Sequence, residues 1–360
     1  MTNTFQQSLE LWLSDQPDLN VDLKQIARIA SVNRDNYTAL TEFGEIQAEI
    51  TGKMMFAAES PLDYPAVGDW VRAEFFNNNT LAMIHEILPR KTLLKRKEAG
   101  QRVEYQPIAA NIDIAFIMQA VDRDFNVRRL ERYLVMILET GIKPAVLLNK
   151  TDLIDEAALQ DILLETGKIT KEIPVMTMSN ETGAGLAQIE SMLKPGYTFC
   201  LLGSSGVGKT TWINHLIGEA AYKTGEIREI DHRGRHTTTR RQMIVLPNGA
   251  LMIDTPGMKE LGTFGMDEGF EKVFDEITEL SQRCQFKDCT HIHEKGCAVL
   301  EALESGELDP ARHQNYIKMK KESEHYSRSY LERRQRDKSF GKMVKSVLKD
   351  NTKRKHEKKY

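Results

Sequence analysis

Short alternations of apolar and polar residues dominate the first ninety residues of the chain. Four such runs, QIARIASV, NYTALTEF, GEIQAEIT and GDWVRAEFF, are separated by turn-forming Asn, Gly and Pro residues. Five or so short strands at this spacing predict a small β-sandwich or barrel over residues 24–95, after an N-terminal extension of residues 1–23. We favour a barrel of the oligonucleotide-binding (OB) type, with a generic β module as the alternative.

The pattern changes after a basic, weakly patterned segment, residues 96–111, which we interpret as a linker or mobile loop. Three near-continuous apolar runs follow, IDIAFIMQAV, PAVLLNK and TFCLLG, as expected for parallel strands buried on both faces. Stretches with helical spacing lie between them, and the pair Asn248-Gly249 marks a hairpin between two further strands. Alternating strands and helices predict an α/β domain over residues 112–265.

Beyond residue 265 the pattern is mainly helical and predicts a helical domain, residues 266–325, followed by a basic tail, residues 326–360. From Lys318 to Tyr360 there are sixteen Lys and Arg residues but six Asp and Glu, so this end carries +10 in a chain of net charge −3. A basic end on an acidic body suggests a polyanionic partner such as RNA. The alternative is a solvated, partly disordered terminus.

The composition, with 41% hydrophobic and 28% charged residues, suits a folded protein. No apolar run is long enough to span a bilayer, and the first residues lack the basic start and apolar core of a signal peptide. We therefore expect a cytoplasmic protein with no membrane partner.

Residues 203–211, GSSGVGKTT, match the phosphate-binding consensus G-x-x-x-x-G-K-[ST]. A buried strand precedes the loop and a helix follows, so backbone N–H groups and the helix N-terminus would converge on phosphate oxygens. We expect Lys209 to reach the β- and γ-phosphates and the Thr210 hydroxyl to bind Mg²⁺. A structural glycine-rich turn is the alternative. The predicted nucleotide contacts are Gly203, Ser204, Ser205, Gly206, Val207, Gly208, Lys209, Thr210 and Thr211.

Two elements ahead of this loop predict that the base is guanine. Asn149, Lys150, Thr151 and Asp152 form N-K-x-D after a buried strand. An aspartate carboxylate accepts two N–H donors from the Watson–Crick edge of guanine, a pair that adenine does not offer. Asn149 can serve a guanine acceptor and also brace the neighbouring loop, while the Lys150 stem covers the ring. Residues 178–183, with Ser179 and Asn180, resemble the S-A-x element that closes over guanine in GTPases, although Asn180 stands where Ala is common.

The remaining GTPase elements follow the phosphate loop. Asp254 and Gly257 form D-x-x-G, where Asp254 would hold Mg²⁺ through water and the Gly257 N–H would meet the γ-phosphate. Either Thr238 or Thr239 would complete the magnesium site. Guanine elements therefore precede the phosphate loop, whereas ordinary GTPases have them last. Such a circular permutation can rebuild the same site because the termini of a domain often lie close together.

Three of the four cysteines cluster in Cys284-x4-Cys289-x-His291-x5-Cys297. Three thiolates and one imidazole are a common ligand set for a closed, structural zinc site. His293 is the rival nitrogen ligand, and three unrelated buried cysteines are the alternative. Cys200 lies within a predicted strand, where we interpret it as a small buried hydrophobe.

These motifs together resemble the circularly permuted, ribosome-small-subunit-dependent GTPases, the RsgA family. The resemblance covers nearly the whole chain and includes VGDWV, PRKTLLKRK, AANID, NKTD, GSSGVGKTT, GRHTTT, DTPG and the cysteine cluster with CAV after it. It implies an OB domain, a permuted GTPase domain and a C-terminal zinc domain in which His291 is the nitrogen ligand. It also implies the 30S subunit and its 16S rRNA as partners, and we expect the protein to be a monomer. GTP would be hydrolysed to GDP and phosphate, with stimulation by the subunit, during late maturation.

The sequence has no obvious residue after D-x-x-G that could orient the attacking water. Met258 stands where Ras-like enzymes have Gln, and a thioether orients water poorly, so we expect a low intrinsic rate. His236 is our candidate for positioning the attacking water, with loop ordering as the alternative role. Two other functions stay open at this stage. One is a nucleotide-gated RNA-binding module with incidental hydrolysis, and the other is a permuted GTPase that acts on the large subunit.

Overall fold

The computed structural model describes residues 2–33, 36–97, 105–218, 241–254 and 267–324. The described strands are β1 Ile26–Val32, β2 Tyr37–Thr41, β3 Gly44–Ile50, β4 Trp70–Phe76, β5 Leu81–Ile87, β6 Leu93–Lys97, β7 Tyr105–Ala110, β8 Ile114–Ala120, β9 Lys143–Asn149, β10 Val175–Thr177, β11 Thr198–Leu202, β12 Arg241–Val245 and β13 Leu251–Asp254. The described helices are α1 Thr2–Ser14, α2 Gly52–Ala57, α3 Val127–Glu139, α4 Glu156–Thr170, α5 Leu186–Glu190, α6 Lys209–Ile217, α7 Asp267–Val273, α8 Asp275–Ser281, α9 Ala298–Ser305 and α10, residues 310–324. Within these segments, no helix combines the length and apolar character that crossing a membrane requires.

The first five strands form a closed barrel. They hydrogen bond in the order β1-β2-β3-β5-β4, and β1 also pairs with β4, which closes the ring. Residues alternate between buried and exposed along β3, so one face of the ribbon fills the barrel and the other faces outward. The predicted OB-like barrel is therefore confirmed. Its interior is packed with small and branched apolar side chains, among them Ala27, Ile29, Ala39, Ala48, Val71 and Ile84.

The central sheet has the strand order β10-β9-β8-β11-β13-β12. All neighbouring pairs are parallel except β12–β13, which is the hairpin predicted at Asn248-Gly249. The strand before the phosphate loop, β11, lies at the centre. The strands that carry the guanine elements, β9 and β10, lie on one side of it, and β13 with Asp254 lies on the other. Because β9 and β10 precede β11 in the chain, the permuted α/β domain is confirmed.

The N-terminal extension contains a helix that the sequence analysis did not predict. Helix α1 buries Phe5, Leu9 and Trp12, which recur at the spacing of one helical face. The indole of Trp12 stacks on Trp70 of β4 at a ring distance of 5.4 Å, and Phe5 meets the same ring edge-on at 5.6 Å. The helix therefore forms part of the barrel's outer core.

The segment interpreted as a linker differs from that expectation. Strands β6 and β7 pair in an antiparallel hairpin, in which Leu94 lies opposite Ala109. Leu94, Ile108 and Ala109 are buried in the same core as the central sheet. Residues 96–111 are thus, where described, a packed element and not an irregular linker, because their apolar residues reach a core that is distant in sequence.

A buried arginine joins the barrel to the central sheet. Arg28 of β1 is only 2% exposed, and its guanidinium donates to Thr198 Oγ1 at 2.7 Å, Asn111 O at 3.2 Å and Gly68 O at 3.3 Å. Burial lowers the pKa of Arg28 to about 10, against the opposing effect of the Asp113 and Asp69 carboxylates. The group is therefore still charged at neutral pH, and its hydrogen bonds span both domains.

The C-terminal helices pack on α3 of the central domain. Phe270 and Phe274 contact Tyr316 of α10, with ring centroids 5.7 and 5.4 Å apart. Glu131 of α3 is fully buried, and it accepts hydrogen bonds from Arg312 at 2.7 Å and from Asn315 at 2.6 Å. A buried carboxylate is stable only with such partners, so this contact specifies how the helical domain sits on α3. The predicted helical C-terminal region is confirmed.

The approach of Gly68 to strand β7 leads to the first prediction. Gly68 has a φ of +91°, and a Cβ atom there would lie 2.1 Å from Ala110 O. We expect Gly68→Ala to lower the free energy of unfolding by about 2 kcal/mol or more, because it adds a backbone clash to left-handed strain. The measurement is urea denaturation followed by circular dichroism. Gly44→Ala is the control, since Gly44 has a φ of +112° but no atom within 4 Å of the added Cβ. Equal losses in the two variants would contradict the role of the close approach.

Candidate nucleotide-binding site and metal centre

The phosphate loop connects β11 to α6 at the carboxyl edge of the central sheet. Gly203, Gly206 and Gly208 all have positive φ, which exposes the loop N–H groups in a compact turn. Gly203 also lies against β8, where a Cβ atom would be 2.3 Å from Met118 O. Lys209 begins α6, and its ammonium donates to Gly203 O at 2.8 Å and to Ser204 O at 2.6 Å. The lysine thus lies across the loop, where phosphate oxygens would be within its reach.

The N-K-x-D element lies directly against the phosphate loop. Asn149 is 1% exposed at the end of β9, and its Nδ2 donates to Val207 O at 2.7 Å. A Cβ atom on Gly208 would lie 2.2 Å from the same Nδ2, so only glycine permits this approach. Of the two roles considered for Asn149, the structure shows the bracing of the loop.

Asn180, which departs from the usual Ala, makes a second brace. Its Nδ2 donates to Gly208 O at 3.0 Å, and its backbone N–H donates to Asn149 Oδ1 at 3.3 Å. The two asparagines and the loop therefore form one hydrogen-bonded unit. The sequence pattern gave no indication of this role, since it depends on a contact across 28 residues.

Asp152 and Ser179 meet beside this unit. The Ser179 hydroxyl donates to Asp152 Oδ1, and it accepts from the backbone N–H groups of Glu181 at 3.2 Å and Thr182 at 3.1 Å. Ser179 is buried while Asp152 is exposed, so the carboxylate is oriented from behind and open to solvent in front. Such a carboxylate can accept the two N–H groups of guanine.

Lys150 adopts a left-handed conformation with a φ of +67°. Its Nζ lies 2.8 Å from Asp122 Oδ2 in the loop between β8 and α3. The hydrogen bond from Lys150 lowers the pKa of the Asp122 carboxyl. Asp122 was not predicted from the sequence, and its only signal is a position just after a buried strand at the carboxyl edge of the sheet.

The predicted magnesium ligands lie partly within the described residues. Thr210 is the second residue of α6 and is exposed. Asp254 ends β13, and it pairs in register with Leu201 of the neighbouring parallel strand. Both residues therefore lie at the carboxyl edge, and their oxygen atoms suit Mg²⁺. His236, Thr238, Thr239 and Gly257 lie outside the described residues.

The cysteine cluster forms a compact group of four potential ligands. The ligand atoms of Cys284, Cys289, His291 and Cys297 all lie within 4.8 Å of one another. Cys284 Sγ is 3.8 Å from Cys297 Sγ, and His291 Nδ1 is 3.7 Å from Cys284 Sγ and 3.4 Å from Cys297 Sγ. A tetrahedron with Zn–S bonds of about 2.3 Å and a Zn–N bond of about 2.0 Å has edges of about 3.8 Å (S···S) and 3.5 Å (S···N). The three separations among Cys284, His291 and Cys297 match these edges, so the four residues could hold one metal ion.

The structure distinguishes the two candidate histidines. His291 is 3% exposed, has a φ of +60°, and turns its ring toward the thiols. Its carbonyl lies 2.9 Å from His313 Nε2 of α10, which ties the metal centre to the helical domain. His293 is exposed, and its backbone N–H donates to Glu294. The structure therefore groups His291, and not His293, with the three cysteines.

A parallel sheet with a phosphate loop at its centre, preceded in the chain by guanine-reading elements, defines a circularly permuted GTPase. The model of the RsgA GTPase family matches residues 87–264. A relative in Lactiplantibacillus plantarum, named small ribosomal subunit biogenesis GTPase RsgA 2, is 44% identical over 308 residues, which span 85% of this chain and 86% of that protein. The chain belongs to the RsgA GTPase family.

Two solved structures share the arrangement. The crystal structure of YjeQ from Thermotoga maritima has a TM-score of 0.60 and 26% identity, and the match covers 82% of this chain and 96% of that one. The crystal structure of YloQ, described as a circularly permuted GTPase, has a TM-score of 0.57 and 26% identity, over 81% and 92% of the two chains. The fold and the permutation are therefore shared with experimental structures.

The orientation of Asp152 leads to a prediction about base specificity. In Asp152→Asn, one acceptor oxygen becomes an amide donor, which repels the guanine N–H groups but can donate to the 2-oxygen of xanthine. We expect GTP affinity to fall by roughly tenfold or more and xanthosine triphosphate affinity to rise, because each charge-assisted hydrogen bond contributes about 1.5–3 kcal/mol. Isothermal titration with both nucleotides measures the change. Parallel losses of affinity for both nucleotides would contradict the assignment.

The geometry of the cluster leads to a second prediction from this site. We expect the purified protein to hold one divalent metal ion per chain, and we expect His291→Ala to lose most of it because a ligand is removed. His293→Ala is the matched control and is expected to keep its metal. Elemental analysis of chelator-free protein gives the metal-to-chain ratio. Metal loss in the His293 variant, or full retention in the His291 variant, would contradict the ligand set.

Proposed function

We propose that this protein is a GTPase that binds the small (30S) ribosomal subunit and acts in its late maturation, hydrolysing GTP to GDP and phosphate. The observation that carries this proposal is the contact of N-K-T-D with the phosphate loop, through Asn149 Nδ2 and Val207 O at 2.7 Å. It unites base recognition and phosphate binding in one site. The choice of the small ribosomal subunit as partner is supported by the name of the relative from Lactiplantibacillus plantarum.

In this proposal each described element has a distinct task. The loop from Gly203 to Gly208 presents its N–H groups to the phosphates, and Lys209 neutralises charge on their oxygens. Asp152 selects guanine. Thr210, Asp254 through water, and either Thr238 or Thr239 would hold Mg²⁺. When bound, the ion would neutralise the charge that develops on the β- and γ-phosphate oxygens.

Hydrolysis would depend on groups beyond the phosphate cradle. His236 is our candidate for orienting the attacking water, since Met258 cannot act as the Gln of Ras-like enzymes does. The main-chain N–H of Gly257 would meet the γ-phosphate. A slow intrinsic rate that rises on the ribosomal subunit follows from this arrangement.

The metal centre is proposed to hold one structural zinc ion. Four protein ligands leave no position for a substrate, which is typical of structural sites. Such a site would stabilise the C-terminal domain, for which we keep the predicted limits of residues 266–325. The other predicted boundaries, with the barrel at 24–95 and the GTPase domain at 112–265, also stay proposals.

We further propose that the partner surface is 16S rRNA on the 30S subunit. An OB-like barrel and the basic tail of residues 326–360 both suit a nucleic acid, and phosphate contacts would make the affinity dependent on salt. The Lys and Arg side chains of the tail would contact the RNA phosphates. A monomeric state and a cytoplasmic location accompany this proposal, the location because ribosomal subunits are assembled there.

Turnover in the presence of ribosomal particles tests the function. We expect purified 30S subunits to raise the GTPase rate at least tenfold, because contact with the subunit would bring the water-positioning group, for which His236 is our candidate, to the γ-phosphate. Purified 50S subunits at the same concentration are the control, and they are expected to have little effect. Release of phosphate from GTP under multiple-turnover conditions is measured.

Other outcomes favour the alternatives. GTP-dependent binding to 30S subunits without faster turnover would identify a nucleotide-gated RNA-binding module. Stimulation by 50S subunits alone would identify a GTPase of the large subunit. Either result would overturn the proposed function.

A further inference from the structure

The first turn of helix α3 carries two adjacent arginines, Arg128 and Arg129, which contact different parts of the molecule. Arg129 reaches the phosphate loop, where its Nη1 donates to Ser204 Oγ at 2.9 Å. The same guanidinium binds both carboxylate oxygens of Asp124, at 2.8 and 3.1 Å. The Ser204 hydroxyl in turn donates to Asp124 Oδ2 at 3.1 Å. Arg129, Asp124 and Ser204 thus form a closed ring of hydrogen bonds, which we call the Ser204 clasp.

Ser204 is the second residue of the phosphate loop, a position that the loop consensus leaves open. Its carbonyl oxygen accepts a hydrogen bond from Lys209 Nζ at 2.6 Å. The residue is therefore held at its side chain by the clasp and at its main chain by the phosphate-binding lysine. Displacement of Ser204 would move both the start of the loop and the partner of Lys209.

The clasp rests on a firmly supported helix start. Asn126 caps α3, and its Oδ1 accepts from the Arg129 N–H at 3.0 Å. Gln119, which is 1% exposed at the end of β8, exchanges two hydrogen bonds of 3.1 Å with the Asn126 backbone. On the other side, Arg128 pairs with Glu131 and with Asp309, which precedes α10. The central sheet and the C-terminal domain therefore both position this turn.

We propose that Arg129, together with Asp124, is a positioning residue for guanine nucleotide binding. The clasp holds Ser204 so that the phosphate loop has its binding conformation before the nucleotide arrives. A preorganised loop avoids the cost of ordering on binding, which raises affinity without a direct contact to the ligand. The inference rests on the proposed function only in taking GTP and GDP as the ligands.

The position of Ser204 predicts which kinetic parameter changes. The start of the loop supports a cradle for phosphates that GDP and GTP share. Loss of the clasp should therefore weaken both nucleotides equally and raise KM, while kcat on the 30S subunit stays within about twofold. A residue that acts in the transition state would lower kcat instead.

The expected effect is modest because the clasp is partly exposed. The side chains of Arg129 and Asp124 are 29% and 52% exposed, and an isolated ion pair at such a site contributes little. The hydroxyl of Ser204 adds two hydrogen bonds to the pair. We expect Arg129→Ala to weaken GDP and GTP binding by roughly threefold to tenfold, the range for losing one or two net hydrogen bonds.

The decisive experiment is a double-mutant cycle on the full chain. Dissociation constants for GDP and for a non-hydrolysable GTP analogue are measured for Arg129→Ala, Ser204→Ala and the double variant. If Arg129 acts through Ser204, the double variant binds about as tightly as the weaker single variant. Arg123→Ala is the matched control, since it removes the same charge from an exposed position in the same loop and is expected to bind normally.

Three outcomes would overturn the inference. Unchanged affinity in Arg129→Ala would remove any role for the clasp. Additive losses would show that Arg129 acts through its charge and not through Ser204. An equal loss in Arg123→Ala would point to the net charge of the loop. If Arg129→Ala does not fold, Asp124→Asn breaks the same ring and replaces it in the cycle.

The inference and the proposed function can fail separately. Nucleotide binding that depends on the clasp, with no stimulation by 30S subunits, would leave the inference standing and overturn the function. Stimulation by 30S subunits, together with nucleotide affinities that are unchanged in Arg129→Ala, would support the proposed function and overturn the inference. Thermal unfolding of each variant, with a midpoint close to that of the unmodified chain, verifies that the comparison concerns folded protein.

Discussion

The nucleotide site depends on the absence of a side chain at Gly208. That absence lets the Asn149 and Asn180 amides approach the phosphate loop and hydrogen bond to Val207 O and Gly208 O. The base-reading elements and the loop lie on different stretches of the chain, and the permutation reverses their order. This contact is what joins them into one site.

Helix α3 extends this dependence to the C-terminal domain. Its first turn touches the phosphate loop through Arg129, while its buried Glu131 is satisfied by Arg312 and Asn315 of α10. A buried carboxylate tolerates little displacement, since leaving it unpaired would be costly. The metal cluster is linked to α10, because His313 of that helix lies within hydrogen-bond distance of the His291 carbonyl. The helical domain therefore packs on the GTPase domain through α3, the helix that also contacts the phosphate loop.

Sequence reasoning succeeded where a function is encoded in a short stretch and failed where a role depends on distant partners. The barrel, the permuted sheet and the cluster of three cysteines with a nearby histidine follow from local patterns, and the structure agrees with them. Helix α1 and the β6–β7 hairpin were missed because their apolar residues pack against cores far away in sequence. Asp122 and Arg129 were missed because the neighbours that give them a role lie in other segments. The nucleotide contacts, including those of His236 and Gly257, stay predictions.

By itself, then, the sequence determined the order of the domains, the permutation and the residue types of the two sites. The period of apolar residues, the spacing of motifs and the placement of glycines are local features of the chain. They can therefore be recognised without knowledge of the fold. Only the tertiary structure decided that Asn149 braces the loop, that His291 rather than His293 joins the cysteines, and that α3 serves two domains. Each of these depends on contacts between segments that are distant in sequence. The distance between two such side chains is set only when the chain has folded.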